Sequence, residues 1–162
     1  MVSADLAGSA PSRGLRNRPP RVASRDVRRP KADATRILLD QTFERTGLTA
    51  LRLAVAAQAA AVTDEQTAEV VMLIAHELSS NCVRHGGGTG RLRLWVAAGS
   101  LHCELSDNGP GITDPGDAGH HLPTPANSGG RGLWIARKMS DLHISTDASG
   151  TTVTAVVALS QA

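Results

Sequence analysis

From about residue 91 to the C-terminus, apolar residues alternate in two pairs of short segments, whereas between 49 and 85 they recur with helical spacing. Helices grouped apart from paired antiparallel strands predict an α+β two-layer sandwich. The first pair is Arg91 to Ala97, with Leu92, Leu94 and Val96 in alternation, and Leu101 to Asp107, joined through Ala98-Gly99-Ser100. The second is Leu142 to Thr146 and Thr151 to Leu159, joined around Ser149-Gly150. Thr35 to Phe43 reads as an edge strand. Thr49 to Val62 reads as a helix with Thr49 as its N-cap. Thr63-Asp-Glu-Gln66 matches a capping box and starts a helix that runs to about His85, closed by Gly86-Gly-Gly88. A further helix covers Gly132 to Met139. Residues 108 to 130, rich in glycine and carrying Pro110, Pro115, Pro123 and Pro125, form an irregular loop of lid length.

The chain has 162 residues, 41% of them apolar, which suits one domain with a real core. Nothing has the unbroken apolar length of a membrane span or a secretory signal, so no membrane partner and a cytoplasmic location are expected. The net charge of +2 is unevenly spread. Residues 1 to 31 hold eight of the 17 basic side chains and only two acids, leaving nine basic and 13 acidic residues for the rest. The basic character therefore belongs to a Pro-, Ser-, Gly- and Arg-rich N-terminal tail, assigned to residues 1–33 and expected to be disordered. The folded domain, 34–162, carries no sign of direct nucleic-acid binding. Cys82 and Cys103 fall in a helix and a strand and read as small buried hydrophobes.

Three short segments carry the chemistry. Glu77-Leu-Ser-Ser-Asn81 puts a carboxylate and an amide on one helical face, beside an apolar stripe of Val70, Val71, Ile74, Leu78 and Cys82. The carboxylate can orient an attacking hydroxyl, and the amide oxygen is a hard ligand suited to Mg²⁺. Asp107-Asn-Gly-Pro-Gly111 ends a strand in good turn chemistry and can hold its carboxylate at the floor of a pocket, where it accepts from an exocyclic amine. Ser128-Gly-Gly-Arg-Gly-Leu133 exposes backbone N–H groups at a helix N-terminus, which favours phosphate. His76-Glu77 fails as a zinc-protease motif because Ser80 stands where the second histidine belongs. Cys82, His85, His102 and Cys103 have no zinc spacing, and strand alternation sends His102 and Cys103 to opposite faces.

The order and spacing of these segments resemble the ATP-binding (Bergerat) fold of the histidine-kinase-like ATPases, shared by gyrase, a heat-shock chaperone, sensor histidine kinases and MutL. That fold is a mixed, mostly antiparallel sheet with helices on one face. The phrase Glu77-Leu-Ser-Ser-Asn-Cys-Val-Arg-His-Gly86 is most similar to the anti-sigma-factor serine kinases and related stand-alone ATP-binding regulators. The resemblance covers about residues 48 to 159. It implies ATP and Mg²⁺ as ligands, Glu77 as the catalytic base and Asn81 as the Mg²⁺ ligand. Asp107 would be the adenine-binding carboxylate, with Thr151 or Thr152 near adenine. Gly109 and Gly111 would form the turn beneath the base, with Gly130, Arg131 and Gly132 at the phosphates. It further implies a sigma factor and an antagonist (anti-anti-sigma) protein as partners, with homodimers among the assemblies it allows.

This sequence departs from the family's pattern in three places: Ala75-His76 interrupts an aliphatic run before Glu77, Ser80 replaces a threonine, and the lid carries His120-His121 and a Pro-rich segment instead of a shared motif. The first two changes remove no ligand, and the third leaves partner and substrate open. Two other readings compete with a serine/threonine kinase. One is a module that holds ATP and transfers nothing, against which Glu77 argues. The other is the catalytic half of a sensor histidine kinase, whose phospho-accepting histidine is missing from the helix Thr49 to Val62.

Overall fold

The computed structural model describes residues 35–124 and 130–159. The basic tail, Pro125, Ser128 and Gly129 of the sequence-based readings lie outside the described residues. Among the described residues five strands occur: β1 (Arg36–Glu44), β2 (Thr89–Ala97), β3 (Ser100–Asp107), β4 (Asp141–Asp147) and β5 (Gly150–Ala158). Three helices are interposed: α1 (Leu48–Ala60) and α2 (Glu65–His85) before β2, and α3 (Arg131–Met139) between β3 and β4. The sheet order is β1-β2-β3-β5-β4, and every pairing is antiparallel. β1 is an edge strand, as expected for Thr35 to Phe43.

One face of the sheet is covered by the helices. Alternation along the strands sends Leu92, Leu94, Leu101, Cys103, Leu105, Val153 and Ala155 inward, where they meet Leu51, Val55, Val71, Ile74 and Leu78 of α1 and α2. The opposite face carries Arg93, Glu104, Thr152 and Thr154 together with Ile37, Val156 and Trp95, which stacks on its cross-strand partner His102 with centroids 5.0 Å apart. His102 and Cys103 do point to opposite faces.

Two helix starts differ from the sequence reading. Thr49 lies inside α1, whose N-cap is Gly47 at the end of a 3₁₀ turn, Arg45–Gly47. The chain is already turning helically when it leaves β1, so no side-chain cap is used. In α2 the cap is Asp64, not Thr63: its carboxylate accepts from the Thr67 amide at 2.8 Å and from Thr67 Oγ1 at 3.0 Å. A carboxylate at the N-cap also complements the helix dipole, which a threonine hydroxyl does not. The end of α2 at Gly86 agrees with the sequence.

Candidate functional site

α2 carries the first segment as its sequence requires. Val71, Ile74, Ala75, Leu78 and Cys82 are buried, while Val70 is only partly so. Glu77 and Asn81 lie one turn apart on the flank of this stripe, where α3 crosses α2. Gly132 sits at that crossing. A Cβ there would come 2.7 Å from Asn81 Nδ2 and 3.0 Å from Glu77 Oε2, so glycine lets the first turn of α3 lie against both side chains in their present positions. Gly130, the N-cap of α3, has φ +99° and offers no side-chain cap, which leaves the first-turn N–H groups for a ligand.

Two cavities flank this crossing. The first, about 370 Å³, falls within the roughly 300–1,000 Å³ of small-molecule sites. Leu78, Leu105, Val153, Ile112 and Leu133 give it apolar walls, and Asp107, Thr151 and Asn81 are its convergent polar groups. The second, about 390 Å³, is lined by Glu77, Asn81, Arg84, Arg131 and Gly132. Asn81 borders both. An apolar slot therefore opens, past an amide, into a space holding one carboxylate and two guanidinium groups, a donor set matched to a flat heteroaromatic ring with an anionic extension.

Asp107 ends β3 as expected. Its Oδ1 accepts from the Gly109 amide at 2.9 Å, an Asx turn that fixes the carboxylate and leaves Oδ2 without a hydrogen-bond partner among the described residues. Thr151, its register partner on β5, is buried, with its hydroxyl 3.3 Å from Thr146 Oγ1. Thr152 pairs with Ser106 and, by alternation, faces away from the cavity. Gly111 and Gly130 line the first cavity. Gly109 instead packs against Gly86, where a Cβ would meet the Gly86 α-carbon at 2.5 Å. So the structure brings Glu77, Asn81, Asp107, Gly111, Gly130, Arg131, Gly132 and Thr151 to the two cavities, and places Gly109 behind the wall and Thr152 on the other face of the sheet.

Several wall residues had no signal in the sequence as a site. Ile112, Ala118 and Gly119 reach the first cavity because the loop after β3 folds back over α3, whereas His85 at the end of α2 and Leu133 on α3 line it from the helices. Gly86 was legible as a helix terminator; its second duty is to let the Asp107 carboxylate approach. Cys82 borders the cavity with its Sγ donating to Thr89 O at 3.2 Å. Burial, aided by the Asp107 charge, pushes its thiol up to about 12, and burial does the same for Cys103. Neither cysteine is disulfide-bonded.

Among the described residues no three His, Cys, Asp or Glu side chains gather as a metal cluster. Mg²⁺ does not need one, because it retains waters and takes one or two protein oxygens plus substrate phosphates. Asn81, at the mouth between the apolar slot and the charged space, fits that requirement. No helix among the described residues is long and apolar enough to cross a membrane.

A family model described as "Histidine kinase-like ATPase domain" matches residues 41–157. No curated protein matches the chain. Among solved structures, the histidine kinase domain of the Erythrobacter litoralis EL346 blue-light activated histidine kinase is 22% identical, with a TM-score of 0.49 over 68% of this chain and 62% of that one. A structure of the Erythrobacter litoralis EL346 blue-light activated histidine kinase is 24% identical, with a TM-score of 0.50, over 61% of this chain and 32% of that one. The Acinetobacter baumannii histidine kinase AdeS is 14% identical, with a TM-score of 0.48, over 76% and 69%. The chain thus spans less than two thirds of the first two structures, and at 24% identity the likeness to the second is one of fold alone.

Proposed function

Because the chain belongs to the histidine kinase-like ATPase domain family, we propose that it binds ATP with Mg²⁺ and transfers the γ-phosphoryl group to a serine or threonine of a small antagonist protein, thereby controlling the capture of a sigma factor. The observation that carries this reading is Asn81, which borders both the apolar slot and the charged cavity that holds Glu77. Adenine would enter the slot between Leu78, Leu105 and Val153 and donate its exocyclic amine to Asp107. The phosphates would pass Asn81 toward the N-terminus of α3, Arg84 and Arg131.

Bound Mg²⁺ would supply charge neutralisation on the phosphate oxygens. The residues of the chain do the rest. Asn81 holds the metal through its amide oxygen, and the first turn of α3 donates N–H groups to phosphate. Glu77 orients the acceptor hydroxyl and accepts its proton as the oxygen–phosphorus bond forms and the bond from phosphorus to the ADP oxygen breaks. Dimerisation with a second copy belongs to the same proposal as the sigma factor and its antagonist.

Incubation with γ-labelled ATP and candidate antagonist proteins tests the reading. Label that survives acid treatment, as serine and threonine phosphoesters do, supports it. Acid-labile label would instead indicate a phosphohistidine. ATP binding without transfer to any antagonist would favour a non-catalytic ATP-dependent regulatory module. An Asn81→Ala variant that keeps the full Mg²⁺ dependence of ATP binding would remove Asn81 from the metal site.

A further inference from the structure

We infer that Arg137, which lines neither cavity, is a positioning residue for the nucleotide: it latches the turn after β3 onto α3, so that Ala118 and Gly119 stay in place as a wall of the first cavity. The inference rests on the nucleotide-binding reading above. Arg137 is half-buried on α3. Its Nε and Nη2 both donate to the Ala118 carbonyl, at 3.1 and 3.0 Å, and its Nη1 donates to the Leu142 carbonyl at 3.4 Å. One guanidinium thus ties the loop, α3 and β4 together, using charge-assisted bonds that a neutral donor would make more weakly.

The latched turn is short and otherwise lightly held. Within it the contacts are local and solvent-exposed: Ala118 N donates to Asp114 O and His120 N to Asp117 O, each at 3.1 Å, Asp117 N donates to Asp114 Oδ1 at 3.2 Å, and His121 Nε2 lies 3.4 Å from Asp117 Oδ1. Its start is pinned separately, where the Ile112 amide donates to Thr146 Oγ1 at 3.2 Å. Between these pins the segment buries little apolar surface, and loops of that kind open easily unless fastened. Gly119 shows how closely the fastened turn sits on α3: at φ +78°, a Cβ would lie 2.8 Å from the backbone carbonyl of Leu133, itself a cavity residue. Holding the wall before the ligand arrives reduces the ordering cost of binding.

The test uses the full chain, with calorimetric titration of Mg²⁺–ADP and hydrogen exchange of the Ala118 and His120 amides. Arg137→Ala should weaken ADP about tenfold, the scale of one lost charge-assisted hydrogen bond, and speed exchange at those two amides but not in β2 and β3. Arg137→Lys, which keeps charge but not the fork, should fall between the two. Gly119→Ala keeps the guanidinium while forcing the turn off Leu133 at some cost in stability, and should weaken ADP as well when binding is read well below its melting transition. Wild-type affinity in both Arg137→Ala and Gly119→Ala would overturn the inference. Failure of the wild type to bind ADP would overturn the nucleotide reading itself, and is seen before any variant is compared.

Discussion

Asp107 and Thr151 face each other across the β3–β5 seam, and both line the apolar cavity. The pairing places a carboxylate, fixed by its own turn, beside a buried hydroxyl at the floor of the slot. Asp107→Asn keeps the shape and the Asx turn but removes the charge and turns one acceptor into a donor. It should weaken ATP and ADP equally, by about 1.5–3 kcal/mol for a lost hydrogen bond to a charged group. Calorimetry with both nucleotides checks this, and a loss confined to ATP would place Asp107 near the phosphates instead.

Glu77→Gln is expected to leave ADP affinity nearly intact, because Glu77 lies in the charged cavity and not in the slot. Phosphoryl transfer should fall by roughly 10²-fold or more, the scale of a lost general base. Both quantities are to be measured on one preparation. Transfer at the wild-type rate would exclude Glu77 from the reaction.

Gly132→Ala separates stability from function. An added methyl meets only the ends of two side chains, Asn81 and Glu77, which can swing away. Gly132 is the second residue of α3 and has no positive φ, so alanine, the better helix former, brings no backbone strain there. Chemical denaturation should therefore show unchanged or raised stability, while Mg²⁺-dependent ATP binding falls because Asn81 has been displaced. A destabilised variant with normal binding would refute the proposed contact.

The two thiols should resist alkylation in the native protein at pH 8, since both are pushed up to about 12 and almost no thiolate exists there. Both should react once the protein is unfolded in denaturant. Mass spectrometry before and after denaturation reads this directly, and fast native labelling of Cys82 would show that the floor of the cavity opens.

Acid should loosen the β1 edge. The Arg91 guanidinium donates to Asp40 at 2.7 and 2.6 Å and holds its carboxyl below the ordinary carboxylate range. Because the folded value lies below the unfolded one, this stabilisation is fully present above about pH 4 and is lost as pH falls through the folded value. Asp40→Asn should thus be less stable than wild type at neutral pH, with the gap closing in acid and shrinking in high salt. A gap that stayed constant down to about pH 2 would show that the ionised carboxylate is not its source.

Periodicity was enough for the buried faces of α2, β2 and β3. Apolar spacing in Val71, Ile74, Leu78 and Cys82 dictates which side of α2 is buried, and alternation in Leu92, Leu94, Leu101 and Cys103 dictates two of the inward strand faces. Such patterns are local consequences of 3.6- and 2-residue repeats, so they survive without knowledge of what packs against them. The sequence also determined that Glu77 and Asn81 share a face and that Asp107 ends a strand in a tight turn. Helix caps were less legible: Thr63 and Asp64 are both able caps, and the choice depends on where the preceding chain enters.

Only the tertiary structure decided which residues meet. Thr151 rather than Thr152 reaches the cavity because the β3–β5 register puts it opposite Asp107, and a shift of one residue would have reversed the choice. Gly109 turned out to support Gly86 because close backbone approach between two segments leaves no periodic trace in either. Ala118, Gly119 and Arg137 come together through an irregular loop folded onto α3, a contact set by carbonyl and guanidinium geometry across 19 residues of chain. Local repeats encode faces, whereas a site is the intersection of several faces, and that intersection exists only once the strands are in register and the helices are docked.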